Sequence, residues 1–141
     1  MKSEFSTSWL SSKQPRKQRK YIWNAPLHIR HKFLNAHLSK DLRKKYGKRS
    51  LPLRKGDEVL VMRGSSKKKK AKISSINLKR SMVFLEGIQR TKRDGAKTSI
   101  PFRSSALQII SLNAEDKERL SALNRKASEN KDIKEKKNVS N

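Results

Sequence analysis

The chain has 141 residues, with 37 Lys and Arg against 12 Asp and Glu, a formal charge of +25 and a pI near 10.9. Only 33% of residues are hydrophobic and none is cysteine, which excludes disulfides, thiol catalysis, zinc knuckles and a single core shared by the whole length. No apolar run approaches the ~18 residues of a spanning helix, and no signal-peptide core follows Lys2. What remains is a compact domain with extensions, self-repelling and suited to lie against a polyanion, nucleic acid first among them.

Residues 1–52 read as a basic N-terminal arm. Up to Lys55 there are sixteen Lys and Arg and two acids, Glu4 and Asp41, a net of +14. The first twenty residues show no sustained period and are expected to be extended or disordered in isolation. Within them Arg16, Lys17, Arg19 and Lys20 form a dense cluster, followed at once by Tyr21 and Trp23. Cations beside aromatics suit phosphate contact plus stacking on an unpaired base. The competing reading packs both rings against the next helix. The cluster alone does not separate RNA binding from a nuclear address.

Pro26 suits the first turn of a short helix over 27–34, with Asn24 as its cap. Its Arg30, His31 and Lys32 are candidate phosphate contacts. A second helix is expected from Ser39, with Asp41 in its first turn and Gly47 as its stop. Leu34, Leu38, Leu42 and Tyr46 recur every fourth residue and read as an apolar helical stripe. His28, His31 and His37 have no cysteine or carboxylate cluster to complete a metal site, so they read as phosphate donors or exposed side chains.

Pro52 closes the arm, and a mainly β domain is expected over 53–112. Arg54 and Lys55 lead into the turn Gly56-Asp57, and Glu58 to Met62 form a short strand. Arg63 and Gly64 end it, Lys67, Lys68, Lys69 and Lys70 make an unbroken cationic tip, and the chain returns through Lys72, Ile73 and Ile76. Four adjacent ammonium groups stay solvated until a polyanion arrives; the plain alternative is a hairpin whose lysines only aid solubility. Leu78 to Ser81 read as a turn. Met82 to Leu85 form a third strand, which Gly87 interrupts with a bulge before Ile88 to Thr91. Arg90, Lys92 and Arg93 approach the hairpin turn Asp94-Gly95. Thr98 to Ile100 make a strand that Pro101 restricts to an edge, and Leu107 to Ile110 a fifth. Five short strands without a crossover helix argue a small antiparallel barrel. Residues 113–141 read as a C-terminal helix and tail, with Leu112, Leu120 and Leu123 as a thin apolar edge.

The segment from Arg54 to Asn77 resembles a KOW motif, with Gly56, Asp57, Val59, Val61, Gly64, Lys67, Lys72 and Ile73 fitting its pattern. Lys68 and Ala71 stand where the motif normally has glycines. At φ > 0 an alanine would cost on the order of 1 kcal/mol, so either Ala71 carries that strain or the loop has its own conformation. The likeness extends through Asn35 to Gly47, Leu51 to Asp57, Asp94-Gly95 and Ile100 to Ile109. Over roughly Ser12 to Leu112 the chain is similar to the archaeal and eukaryotic large-subunit ribosomal proteins of the L-twenty-four family (L-twenty-six in eukaryotic naming). His37, Asp41, Arg103, Ser104 and Ala106 depart from the family pattern. The resemblance implies an SH3-like barrel, bound to ribosomal RNA of the large subunit beside neighbouring ribosomal proteins in the cytoplasm. It further implies early assembly and a place near the polypeptide exit.

The rival is a KOW-bearing transcription or chromatin factor, which usually attaches the hairpin to a second folded domain. Enzymatic function finds no support. Asp57, Glu58, Glu86 and Asp94 are the β segment's only acids, Asp57 and Asp94 read as turn residues, and no phosphate loop, nucleophile–base pair, cofactor motif or small-molecule site stands out.

Overall fold

The computed structural model describes residues 3–113, 115–121 and 123. A 3-10 turn at Thr7–Ser11 precedes helices α1 (Pro15–Asn24) and α2 (Leu27–Phe33), strand β1 (Asn35–Leu38), helix α3 (Lys40–Tyr46) and strand β2 (Ser50–Pro52). Strands β3 (Glu58–Val61), β4 (Lys70–Asn77), β5 (Met82–Thr91), β6 (Lys97–Phe102) and β7 (Leu107–Ser111) follow. Residues 117–121 are helical.

The basic cluster is therefore a helix, where an extended chain was expected. Pro15 occupies its first turn, its fixed φ already suited to a helix. Tyr21, Ala25 and Ile29 then bury a small cluster of their own, with Phe5, Trp9 and Phe33 packed around it. Asn24 does not cap α2: it ends α1, and its side-chain amide donates to the Glu4 carbonyl at 2.9 Å. Helix α3 follows its expected signals. Ser39 Oγ accepts from the Leu42 amide at 3.3 Å, and Gly47 stops the helix at φ +63, a left-handed conformation that a Cβ disfavours.

The sheet runs β2-β1-β7-β3-β4-β5-β6. Its pairs are antiparallel except β1 and β7, where His37 faces Gln108 and Leu38 faces Ile109 in parallel. The ladders among the five strands of the β segment are all antiparallel, as expected; the parallel pair comes from β1, in the arm, and the whole of β2 to β6 lies between β1 and β7 in sequence, ample length for a parallel return. The structure corrects the apolar stripe. Leu34 and Leu38 are buried, but Leu38 sits in a strand, and α3 begins only after it. β1 and β2, from the expected arm, thus extend the same sheet as the β segment. Strands β2 and β6 stand at its edges, and no ladder among the described residues joins them. Pro101 lies in edge strand β6, as its missing amide requires.

One core joins the two halves. Val59, Val61, Ile73, Val83, Leu107 and Ile109 are fully buried and meet Leu34, Leu38 and Leu51 from the arm and Leu123 from the C-terminal helix. In β5 the buried positions are Val83, Leu85 and Ile88: an odd run switches to an even one across the bulge at Gly87. One extra residue turns the following side chains to the other face.

Asp57, read as a turn residue, is the most demanding group in this core. Its carboxylate is fully buried and accepts from the two terminal Arg119 nitrogens, Nη1 at 2.7 Å and Nη2 at 3.0 Å. The Arg54 and Asn113 amides donate to it at 2.9 and 3.1 Å. Arg119 also reaches the Pro52 carbonyl at 2.8 Å, so one guanidinium ties the C-terminal helix to β2 and to the start of the hairpin. Gly56 beside it has φ +85, and a Cβ there would lie 2.8 Å from Asn113 Nδ2. The conformation favours glycine, and any Cβ would also force the Asn113 side-chain amide to shift.

Candidate nucleic-acid interface

The cationic hairpin is built as its sequence suggests. β3 and β4 pair through Glu58–Lys72, Val59–Ala71 and Leu60–Lys70. The loop between them closes on itself: the Val61 amide donates to the Lys69 carbonyl at 2.9 Å, and the Lys68 amide to the Val61 carbonyl at 2.8 Å. The Met62 amide donates to the Ala106 carbonyl at 2.8 Å, fixing the base of the loop to the turn before β7. Of the two positions where the motif has glycine, only Lys68 takes a positive φ, +71, while Ala71 lies within β4. The loop places its strain on the lysine.

Lys67, Lys68, Lys69 and Lys70 are all exposed on this short, internally bonded loop. Across from them, β5 ends in Arg90 and Thr91, and the chain continues through Lys92 and Arg93 into the Asp94-Gly95 turn, where the Lys92 amide donates to the Ala96 carbonyl at 2.9 Å. The two turns meet around one cleft of about 900 Å³, lined by Ser65, Ser66 and Lys69 on one side and Gln89 to Arg93 on the other, with Thr98 to Pro101 beneath. Seven cations, Lys67 to Lys70 with Arg90, Lys92 and Arg93, thus share one end of the sheet. Neither salt bridge among the described residues involves any of them. Their charge is available to an anionic ligand, and the internally bonded loop lowers the ordering cost of engaging one.

The other expected contacts divide. Arg63 and Lys55 are exposed near the hairpin, and Lys72 is exposed on β4 opposite Glu58, an oppositely charged cross-strand neighbour. Arg54 is half exposed, but its guanidinium pairs with Asp116. In α1, Arg16 and Arg19 are exposed while Lys17 and Lys20 are partly covered. Tyr21 is buried, stacked on Phe5 at 5.3 Å between ring centroids and tilted against Phe33 at 5.7 Å, so its ring is spent in packing. Trp23 is 80% exposed. His31 and Lys32 are exposed on α2. Arg30 is committed to the backbone: it donates to the Ala25 carbonyl at 2.8 Å, the Lys79 carbonyl at 2.7 Å and the Trp23 carbonyl. It reads as a clamp between α1, α2 and the β4–β5 turn, with each of its three nitrogens already engaged by a carbonyl.

Lys79 and Arg80, in that turn, escaped the sequence reading, which treated Leu78 to Ser81 only as a connection. They lie beside Trp23 in the fold. Arg119 escaped it too, because its partner lies 62 residues away. The signal for Lys79 and Arg80 was present as two adjacent cations at a turn; for Arg119 there was none.

A family model for eukaryotic L26 and archaeal L24p ribosomal proteins matches residues 12–126. The large ribosomal subunit protein uL24 of Methanosphaera stadtmanae is 43% identical over 115 residues, covering 82% of this chain and 98% of that protein. The motif-bearing hairpin, the cationic cleft and both comparisons agree, and the chain belongs to the family of ribosomal proteins called L26 in eukaryotes and L24p in archaea.

Proposed function

We propose that this protein is a structural constituent of the large ribosomal subunit and holds ribosomal RNA chiefly by its phosphates, with the cleft between the Lys67–Lys70 loop and the Arg90–Arg93 turn as its main grip. Its family is one of ribosomal structural proteins, not enzymes, which places it in the cytoplasmic ribosome. The observation that carries the reading is the convergence of two cationic turns, far apart in sequence, on one cleft. Such a grip is sequence-tolerant and salt-dependent, because it works by releasing counterions from phosphates. Bound RNA would also stabilise a strongly self-repelling fold by mass action, about 4 kcal/mol at a thousandfold excess over Kd.

We read β3 to β7 as an SH3-like barrel core, 53–112, flanked by an arm, 1–52, and a C-terminal extension, 113–141. Supporting it are the order β7-β3-β4-β5-β6, in which the last strand returns to the first, and the ladder irregularities in β3–β7, β4–β5 and β5–β6 that bend the strands. Early assembly and a place near the polypeptide exit rest on the family resemblance.

Sedimentation of a cell lysate on a sucrose gradient at moderate salt tests the assignment. Stable co-migration with the large subunit is expected. A pool running free or with RNA polymerase would instead support a transcription or chromatin factor.

A further inference from the structure

A second site stands at the other end of β4 from the lysine loop, roughly 23 Å away along the strand at ~3.3 Å per residue. Ile22, Trp23 and Leu27 are exposed there by 56, 80 and 58%, an apolar patch on an otherwise strongly cationic arm. Two shallow hollows of about 470 and 490 Å³ share Trp23 as a wall. Arg19 and Lys20 edge the first, Lys79 and Arg80 the second, and no acidic residue lines either among the described residues.

The ring stands on a fixed base. Arg30 donates to the Trp23 carbonyl and, at 2.7 Å, to the Lys79 carbonyl, so the end of α1 and the β4–β5 turn are held by one guanidinium. Tyr21, two residues earlier, anchors the opposite side of α1 in the aromatic cluster. An exposed tryptophan so held loses little freedom when covered, since only two χ angles remain to be fixed.

Resting on the ribosomal RNA reading above, we infer that Trp23 is a stacking platform for one unpaired RNA base, with Arg19 and Lys20 on one flank and Lys79 and Arg80 on the other neutralising the adjoining phosphates. Charge selects this occupant. A purely apolar protein segment would leave these cations without counter-charge, whereas a nucleotide offers a π face and phosphates together. The protein would then hold two RNA segments, a phosphate-lined one at the lysine loop and a single-stranded one at Trp23.

The test uses the full chain with Trp9→Phe, which leaves Trp23 as the only tryptophan and therefore the only indole reporter. The probes are a short unstructured RNA strand of mixed sequence and a blunt RNA duplex of the same length. The strand should quench Trp23 fluorescence and the duplex should not. Trp23→Ala should weaken binding of the strand about tenfold and of the duplex less than about twofold, with Trp23→Phe retaining most of the strand affinity. Equal losses for both probes, or no quenching by the strand, would overturn the platform. So would a Trp23→Ala protein with unchanged RNA affinities but poorer incorporation into large subunits, since a protein neighbour would then cover the patch. Failure of the parent protein to bind either probe would strike the underlying RNA reading instead.

Discussion

Arg119→Ala should destabilise the RNA-free protein far more than any surface charge removal. The substitution strips Asp57 of two hydrogen bonds, at 2.7 and 3.0 Å, and leaves the carboxylate fully buried with only the Arg54 and Asn113 amides. Breaking one side of a buried, hydrogen-bonded pair costs about 3–5 kcal/mol, against a total stability of about 5–15 kcal/mol for a domain. At about 4 °C per kcal/mol, where the ranges for smaller and larger domains meet, the melting temperature should fall by roughly 12 °C or more. Arg54→Ala is the matched control. Its ion pair with Asp116 joins an arginine side chain 53% exposed to an aspartate 17% exposed, so its loss should cost about 1–2 kcal/mol, less than that of the fully buried pair. Urea unfolding followed by circular dichroism reads both. Equal midpoints for the two variants would refute the claim that Asp57 and Arg119 lock the C-terminal helix to the hairpin.

Two further substitutions separate strain from space in the hairpin. Lys68→Gly should raise stability by about 1 kcal/mol by relieving a positive φ, while Gly56→Ala should lower it by more than that, since strain adds to the clash with Asn113; thermal melts decide. In α1, Tyr21→Ala should destabilise by about 2–4 kcal/mol through loss of the aromatic cluster, and Trp23→Ala by less than about 0.5 kcal/mol, both read by chemical denaturation.

The hairpin was legible because its signals are local. Gly56-Asp57, alternating Val59 and Val61, and a glycine before the lysines define strand, turn and strand within about twenty residues. The β5 bulge at Gly87 and the turn at Gly95 were legible for the same reason. Strands β1 and β2 were not, being four and three residues long, too short to show a period, and Leu38 falls in step with Leu42 although the two belong to different elements. The parallel pairing of β1 with β7 and the Asp57–Arg119 bond leave no local trace, since each joins segments more than sixty residues apart. The division between Tyr21 and Trp23 follows from helix geometry once α1 is known: residues two apart point to nearly opposite sides. Read as extended chain, the same pair gave no reason to choose.

The salt dependence of RNA binding tests the cationic cleft most directly. About eight phosphate contacts predict a slope of log K on log salt of roughly −6 to −7. Replacing Lys67, Lys68, Lys69 and Lys70 together by serine should leave the fold intact, since all four are exposed, and should flatten the slope by about one unit per lost contact. The same change at Lys134, Glu135, Lys136 and Lys137, in a tail of nearly balanced charge, should move it far less. Equal losses of affinity and slope in loop and tail variants would contradict the account, and the lysine loop would then be only a solvated surface.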